Sequence, residues 1–238
     1  MTLERISYRA AEDSVELVGA VARPSGAGPH PVVLVAHTWA GCNDFVKLQA
    51  RKLADMGYIG FAIDAYGGGE VSSDIPTNAQ RMQALLDDRA LLRRRLDAAL
   101  QAARQLAGAD ADRVGVMGYC FGGLCALELV RSGAKFKGAV SFHGLLSGAE
   151  GLPAQPAQTP VLVLHGDLDG FVPDEQIASF RAEMDAAGAD WQMHIYSGAR
   201  HSFTDPDSDN PELGTGYDAN ADRRSWQAMN TFFAEVFA

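Results

Sequence analysis

Val114-Gly115-Val116-Met117 is an apolar run that meets Gly118-Tyr119-Cys120-Phe121-Gly122, after which Leu124, Leu127 and Leu129 recur at helical spacing. The stretch reads strand, sharp turn, helix. Glycines two positions either side of Cys120 let the two elements approach without a Cβ clash. A residue at the apex of such a turn is held in a strained conformation. Its side chain stands at a helix N-terminus, where orphan N–H groups and the positive dipole end favour a thiolate over a thiol. That thiolate is a nucleophile; the other reading of the segment alone is a buried cysteine that only packs.

Other chemistry-bearing residues also follow apolar runs: Thr38-Trp39, Asp64 and Tyr66, His143, Asp169, and His201. Open parallel sheets bind ligands beyond the carboxyl ends of their strands, so these residues belong to one candidate site. Nucleophile, then acid, then histidine is the chain order of an α/β-hydrolase triad. Cys120 attacks, His201 relays the proton, and Asp169 holds the His201 ring in one tautomer. Asp167 competes with Asp169; the residue further beyond the strand turns more readily to a pocket, while Asp167 is placed to satisfy local backbone donors. Taken alone, His201 reads as a surface or hydrogen-bonded histidine, His165 as a core one, and Cys42 and Cys125 as packing residues. An oxyanion hole is expected from the N–H groups of Phe121 and Trp39.

The elements that must place these residues follow from periodicity. Residues 3–9 and 14–22 read as extended segments around a turn at Glu12-Asp13-Ser14. Two-sided apolar strands are expected at 31–36, 58–63, 138–142 and 161–164, with a further strand at 191–196. Helices are expected from about Asn43, over about 77–107 with a break near Asp87-Asp88, after the elbow, from about Asp174, and at the end with Trp226, Met229, Phe233 and Val236 inward. Gly67-Gly68-Gly69 lacks the Lys-Ser/Thr of a phosphate-binding loop and reads as an active-site loop. Arg93-Arg94-Arg95 reads as a solvated helix face. Strand and helix alternate from residue 31 onward, giving an α/β fold with a mostly parallel sheet, helices on both faces and one domain over 1–238.

Composition bounds the partners. The 238 residues carry 30 acidic and 20 basic side chains, a formal charge of −10, which repels nucleic acid and anionic membranes. Three unpatterned cysteines, no apolar leader and no apolar stretch of spanning length predict a cytoplasmic protein. There is no Cys-x-x-Cys for redox work and no HExxH-type spacing for a metal, and no cofactor is expected.

With Gly118-Tyr119-Cys120-Phe121-Gly122-Gly123, Gly166-Asp167-Leu168-Asp169-Gly170-Phe171-Val172-Pro173 and Ala199-Arg200-His201-Ser202-Phe203 in view, the chain resembles the dienelactone hydrolase family of α/β-hydrolases over nearly its whole length. The resemblance implies a Cys-His-Asp hydrolase on a core with little or no cap, and maps the triad to Cys120, His201 and Asp169 rather than Asp167. Family members carry a thiol-controlling glutamate where this chain has Thr38, and clamp the substrate carboxylate with arginines. Arg81 matches one of these, but Asp205 stands four residues after His201 and Asp207, Asp209, Glu212 and Asp218 follow. A carboxylate substrate would meet repulsion there. The pocket candidates Thr38, Trp39, Tyr66, Arg81, Tyr119, His143, Phe171, Phe203 and Tyr217 describe a mostly apolar, aromatic-tolerant site. The expected substrates are neutral esters or lactones, aryl esters above all, with neutral phosphotriesters as a side activity, for a monomer or homodimer. Its rivals are dienelactone (carboxymethylenebutenolide) hydrolysis proper and a non-catalytic ligand receptor. The acidic loop is expected to favour a His201 imidazolium and, through it, a Cys120 thiolate.

Overall fold

The computed structural model describes residues 2–152 and 154–238; Met1, in the N-terminus read above, and Pro153, in the expected loop over 151–160, lie outside them. The chain is an α/β fold with a mostly parallel central sheet and helices around it. It divides into two compact units, Met1–Met117 and Gly118–Ala238. Among the described residues no helix is long and apolar enough to cross a membrane.

In the first unit, β1 (Glu4–Tyr8) and β2 (Leu17–Ala22) pair antiparallel, Glu4 opposite Val21 and Tyr8 opposite Leu17. Next come β3 (His30–Ala36), α1 (Asp44–Asp55) and β4 (Ile59–Ala62). The β4 strand pairs antiparallel with β2 and parallel with β3. Residues 32–36 and 59–62 are buried on both faces, which is why their sequence is apolar throughout instead of alternating. The side chain of Asn43 caps α1, accepting from the Val46 N–H at 3.4 Å.

The expected break in the long helical segment is one residue. Asp88 ends α2 (Ile75–Asp87), its N–H donating to the Ala84 carbonyl, and starts α3 (Arg89–Arg104), its carboxylate accepting from the Leu91 N–H at 2.8 Å. Arg95 departs from the solvated-face reading: its side chain is 8% exposed, pairs with Asp13 at 2.7 Å, and donates to the carbonyls of Ala65 and Tyr66 at 2.9 and 2.7 Å. It lies on the inward stripe of α3 beside buried Leu92 and Leu96, and its fork satisfies carbonyls that irregular backbone after β4 leaves open.

The Gly67–Gly69 loop is wrapped on a carboxylate. Buried Asp64 accepts the N–H groups of Val18, Tyr66, Gly67 and Gly69 at 2.8–3.0 Å, and all three glycines take left-handed φ to aim them.

Strand β5 (Ala109–Tyr119) runs into the second unit. There α4 (Phe121–Arg131) follows, then β6 (Gly138–Phe142), β7 (Val161–Gly166), α5 (Asp174–Ala186) and β8 (Trp191–Tyr196), with β6, β7 and β8 parallel in that order. Leu127, Val130, Ala139, Val161, Val163, Phe180 and Met184 form one core cluster between these strands and helices. Buried Arg131 is paired with Glu128 at 3.1 Å and Glu183 at 2.8 Å. The polar segment beyond β8 is more ordered than its composition predicts: β9 (Asp209–Asn210) and β10 (Thr215–Gly216) pair around a tight turn at Pro211–Leu213. The closing helix, α6 (Ala219–Val236), buries Met229 and Phe233 as its pattern predicts, but Phe232 and Ser225 complete the stripe while Trp226 and Val236 are half-buried.

Candidate active site

Cys120 sits between β5 and α4 at φ 56° and ψ −118°, a conformation costing a non-glycine residue about 1–3 kcal/mol. The bend is tight enough that a Cβ on Gly118 would lie 2.0 Å from the carbonyl oxygen of Gly122. Glycine at 118 is therefore a steric requirement of the turn. The backbone around Cys120 is fully engaged, with its N–H donating to the Phe142 carbonyl at 3.1 Å and its own carbonyl accepting from Gly123 and Leu124. Cys120 is half-buried, whereas Cys42 and Cys125 are buried, and burial pushes the Cys42 thiol up to about 12. Cys42 thus packs in the interior, as expected.

Asp169 lies three residues past β7 and is 5% exposed; Asp167, one residue past it, is exposed. Asp169 uses both oxygens: Oδ2 is 2.8 Å from His201 Nδ1, and Oδ1 accepts from the Phe171 N–H at 3.0 Å. Satisfying the local backbone donor thus falls to Asp169, not to Asp167 as the sequence reading had it.

His201 is 3% exposed, and its backbone is held from both sides by the β9–β10 segment: its N–H donates to the Gly214 carbonyl at 3.2 Å and its carbonyl accepts from Gly216 at 3.0 Å. Burial alone would drive its proton off. The charge of Cys120, the hydrogen bond to Asp169, a hydrogen bond to Cys120 and the Asp169 charge outweigh that and raise the ring to about 10. The groups that favour the imidazolium are therefore half-buried Cys120 and buried Asp169, rather than the acidic loop residues expected to do so.

Around His201 stands an aromatic shell. The Phe171 ring, 47% exposed, lies 4.8 Å from it, and His143 lies edge-on at 5.2 Å. Phe203 packs on His143 at 5.1 Å, and Tyr119 is 5.9 Å from His143. Of these pocket candidates only Phe171 presents a surface; Tyr119, His143 and Phe203 are buried. Tyr217 is exposed and its hydroxyl meets Asp222 at 3.3 Å. Asp205 is half-buried in the turn after His201, its N–H donating to the Ser202 carbonyl.

The remaining candidates lie in the first unit. The Tyr66 hydroxyl donates to the Trp39 carbonyl at 3.1 Å, and the Tyr66 ring sits 4.6 Å from His37, whose Nδ1 approaches the Thr38 carbonyl at 2.5 Å. Arg81 is paired with Glu70, and the two line a cavity of about 380 Å³ with Tyr66. Thr204 is a residue the sequence reading passed over. It is buried and hydrogen-bonded to His143, and its only sequence signal is its place three residues after His201.

Residues 17–237 match the model of the dienelactone hydrolase family. A protein of Escherichia coli O157:H7, provisionally named a carboxymethylenebutenolidase, is 30% identical over 226 residues, covering 90% of this chain and 80% of its own. Among solved structures, one named m3DLH superposes with a TM-score of 0.91 at 36% identity, covering 100% of this chain and 99% of its own. A dienelactone hydrolase-like promiscuous phosphotriesterase from metagenomic libraries superposes at 0.90 with 35% identity and the same coverage. By the family match along nearly all of its length, the chain belongs to the dienelactone hydrolase family.

Proposed function

We propose that this hydrolase of the dienelactone hydrolase family cleaves neutral esters or lactones, aryl esters in particular, through a Cys120 nucleophile served by His201 and Asp169. The observation that carries the proposal is the His201 ring, hydrogen-bonded through Nδ1 to buried Asp169 at 2.8 Å and held protonated up to about 10 by Cys120 and Asp169, with Cys120 on a strained elbow.

Cys120 Sγ, as thiolate, adds to the carbonyl carbon and the carbonyl π pair moves onto oxygen. The N–H of Phe121, at the positive end of α4, is the donor this unit supplies to the oxyanion; a second donor is assigned from the sequence alone to the N–H of Trp39. The intermediate collapses, the carbon–oxygen bond breaks, and His201 passes its proton to the leaving alkoxide. Water then attacks the thioester, giving a proton to the neutral imidazole. The acid leaves, and the thiolate–imidazolium pair is restored. Asp169 keeps one tautomer and orientation throughout.

Two features support a neutral aryl substrate. Phe171 offers an exposed aromatic surface beside His201, and Asp205 with the acidic residues that follow opposes a substrate carboxylate. A second reading, attack on neutral phosphotriesters, is favoured by the 35% identity to a phosphotriesterase. The test is trapping with p-nitrophenyl acetate followed by mass measurement and peptide mapping, with initial rates compared for that ester, a neutral phosphotriester and a carboxylated lactone. An acetyl group on Cys120 and preference for the uncharged ester are expected. Turnover that survives Cys120→Ala refutes the nucleophile, and preference for the carboxylated lactone refutes the assigned specificity.

A further inference from the structure

We infer that His143 is a positioning residue for His201, fixing through its ring and the Thr204 hydroxyl the turn that presents the His201 imidazole. The inference rests on the hydrolase reading above, since it assigns His143 a task only if His201 moves the proton.

His143 is an uneconomical choice as a core residue. It follows β6 at φ 37°, left-handed for a residue with a Cβ, although 1% exposed. Its Nδ1 is buried with no hydrogen-bond partner among the described residues, a state native structures seldom tolerate without cause. A phenylalanine would fill the same space with no orphaned nitrogen. What the imidazole adds is its other nitrogen: Nε2 is hydrogen-bonded to the Thr204 Oγ1 at 2.8 Å, with both groups buried.

Thr204 belongs to the turn that leaves His201. That turn contains Ser202 at φ 61° and closes with the Asp205 N–H on the Ser202 carbonyl at 3.0 Å. A strained turn persists only where its surroundings over-determine it. The β9–β10 segment anchors the His201 backbone, but His143 is the group that grips the turn three residues on. Its ring also packs edge-on against the His201 ring at 5.2 Å. The backbone of His143 is itself fixed, its N–H donating to the Leu164 carbonyl at 2.8 Å. The charged and titratable groups acting on His201 are Cys120 from the elbow, Asp169 after β7, His165 within β7 and His143. Burial, and then the His201 charge, hold His143 well below the usual imidazole range, so it packs there as a neutral ring without competing for the proton.

A displacement of the relay ring by about 1 Å costs on the order of 10²-fold in rate. Thr204→Val, which keeps the shape and removes the hydroxyl, and His143→Phe, which keeps a ring and removes Nε2, are each expected to lower kcat/KM roughly 10- to 100-fold, through kcat, with KM little changed. The alkaline limb of the pH profile should fall to lower pH, because a loosened ring holds its proton less well. Iodoacetamide alkylation of Cys120 at neutral pH, which needs no substrate, should slow in parallel. Thr204→Ser should restore all three. A Thr204→Val enzyme with parental kcat/KM and an unmoved limb overturns the inference, as does equal loss in the Val and Ser variants, which would make packing rather than the hydroxyl the cause. A Cys120→Ala control separates the two levels: if it still turns over, the hydrolase reading falls, whereas a dead Cys120→Ala beside an unaffected Thr204→Val removes only the task given to His143.

Discussion

Replacing Asp169 with Asn leaves the volume beside His201 Nδ1 nearly unchanged and removes the charge. The His201 ring holds its proton to about 10 against a burial that alone would lower it, so its partners, Cys120 and Asp169, together outweigh the desolvation of the charged ring. Asp169 contributes through a 2.8 Å hydrogen bond and through its charge, and its side chain is fully buried. Breaking a buried pair from one side costs about 3–5 kcal/mol. If that interaction is made in the transition state, the loss corresponds to about 10²–10⁴ in kcat/KM at 1.36 kcal/mol per decade. Asn also offers the ring an amide that can select the wrong tautomer, which adds to the loss. Initial rates of p-nitrophenyl acetate hydrolysis from pH 5 to 11 measure both the drop and the alkaline limb, which should move from about 10 toward 6.5. Asp167→Asn, at the exposed neighbouring position, should change neither. An Asp169→Asn enzyme within threefold of the parent with an unmoved limb, or equal losses in the two variants, would refute this account of the site.

Three further outcomes follow from the same kind of reasoning. Asp64→Ala strips the acceptor from four backbone N–H groups in the first unit and should destabilise the protein by roughly 3–5 kcal/mol, read as a lowered midpoint in urea; a loss under about 1 kcal/mol would mean that water replaces the carboxylate at little cost. Gly118→Ala places a Cβ 2.0 Å from the Gly122 carbonyl and should abolish the elbow geometry, seen as loss of Cys120 alkylation out of proportion to any fall in Tm. The stability contributed by His201 has a definite sign: its folded-state pKa is raised, so the contribution is fully present below about 6.5 and disappears as pH rises through about 10. The stability gap between parent and His201→Gln, followed by urea titration, should therefore narrow from pH 6.5 to 10, and a gap that widens would contradict the assignment.

What the sequence made legible is what local rules control. The apolar runs at 31–36, 138–142 and 161–164 fit buried strands, and Gly118 stands two residues before Cys120 at a position where the bend leaves no room for a Cβ. Asp88 was readable as a break because an aspartate's side chain caps the helix that follows it. The unreadable features depend on partners far along the chain. Arg95 sits in a triplet that looks solvated, and its carboxylate partner is Asp13, 82 positions away. The β9–β10 segment that holds His201 is built from two-residue strands in a polar stretch, with no hydrophobic period to announce it. Thr204 is indistinguishable in the sequence from any loop threonine, since its role comes from a histidine 61 positions earlier.

The distribution of strain bears on how the site tolerates change. Among the described residues, four non-glycine residues take positive φ, and three of them, Cys120, His143 and Ser202, are at or adjoining the candidate site. At about 1–3 kcal/mol each, they draw on a folding stability typically of 5–15 kcal/mol for a whole protein. Each is offset by a hydrogen bond to another element: the Cys120 and His143 N–H groups donate to the backbone carbonyls of Phe142 and Leu164, and the Ser202 turn is tied through the Thr204 hydroxyl to the His143 side chain. The offsets form a chain from the elbow through β6 to the His201 turn, so a change in any one reaches the sulfur and the imidazole together. Substitutions that relax these three residues are thus the ones expected to raise stability while lowering turnover, and a stabilised variant selected without regard to activity should accumulate changes there first.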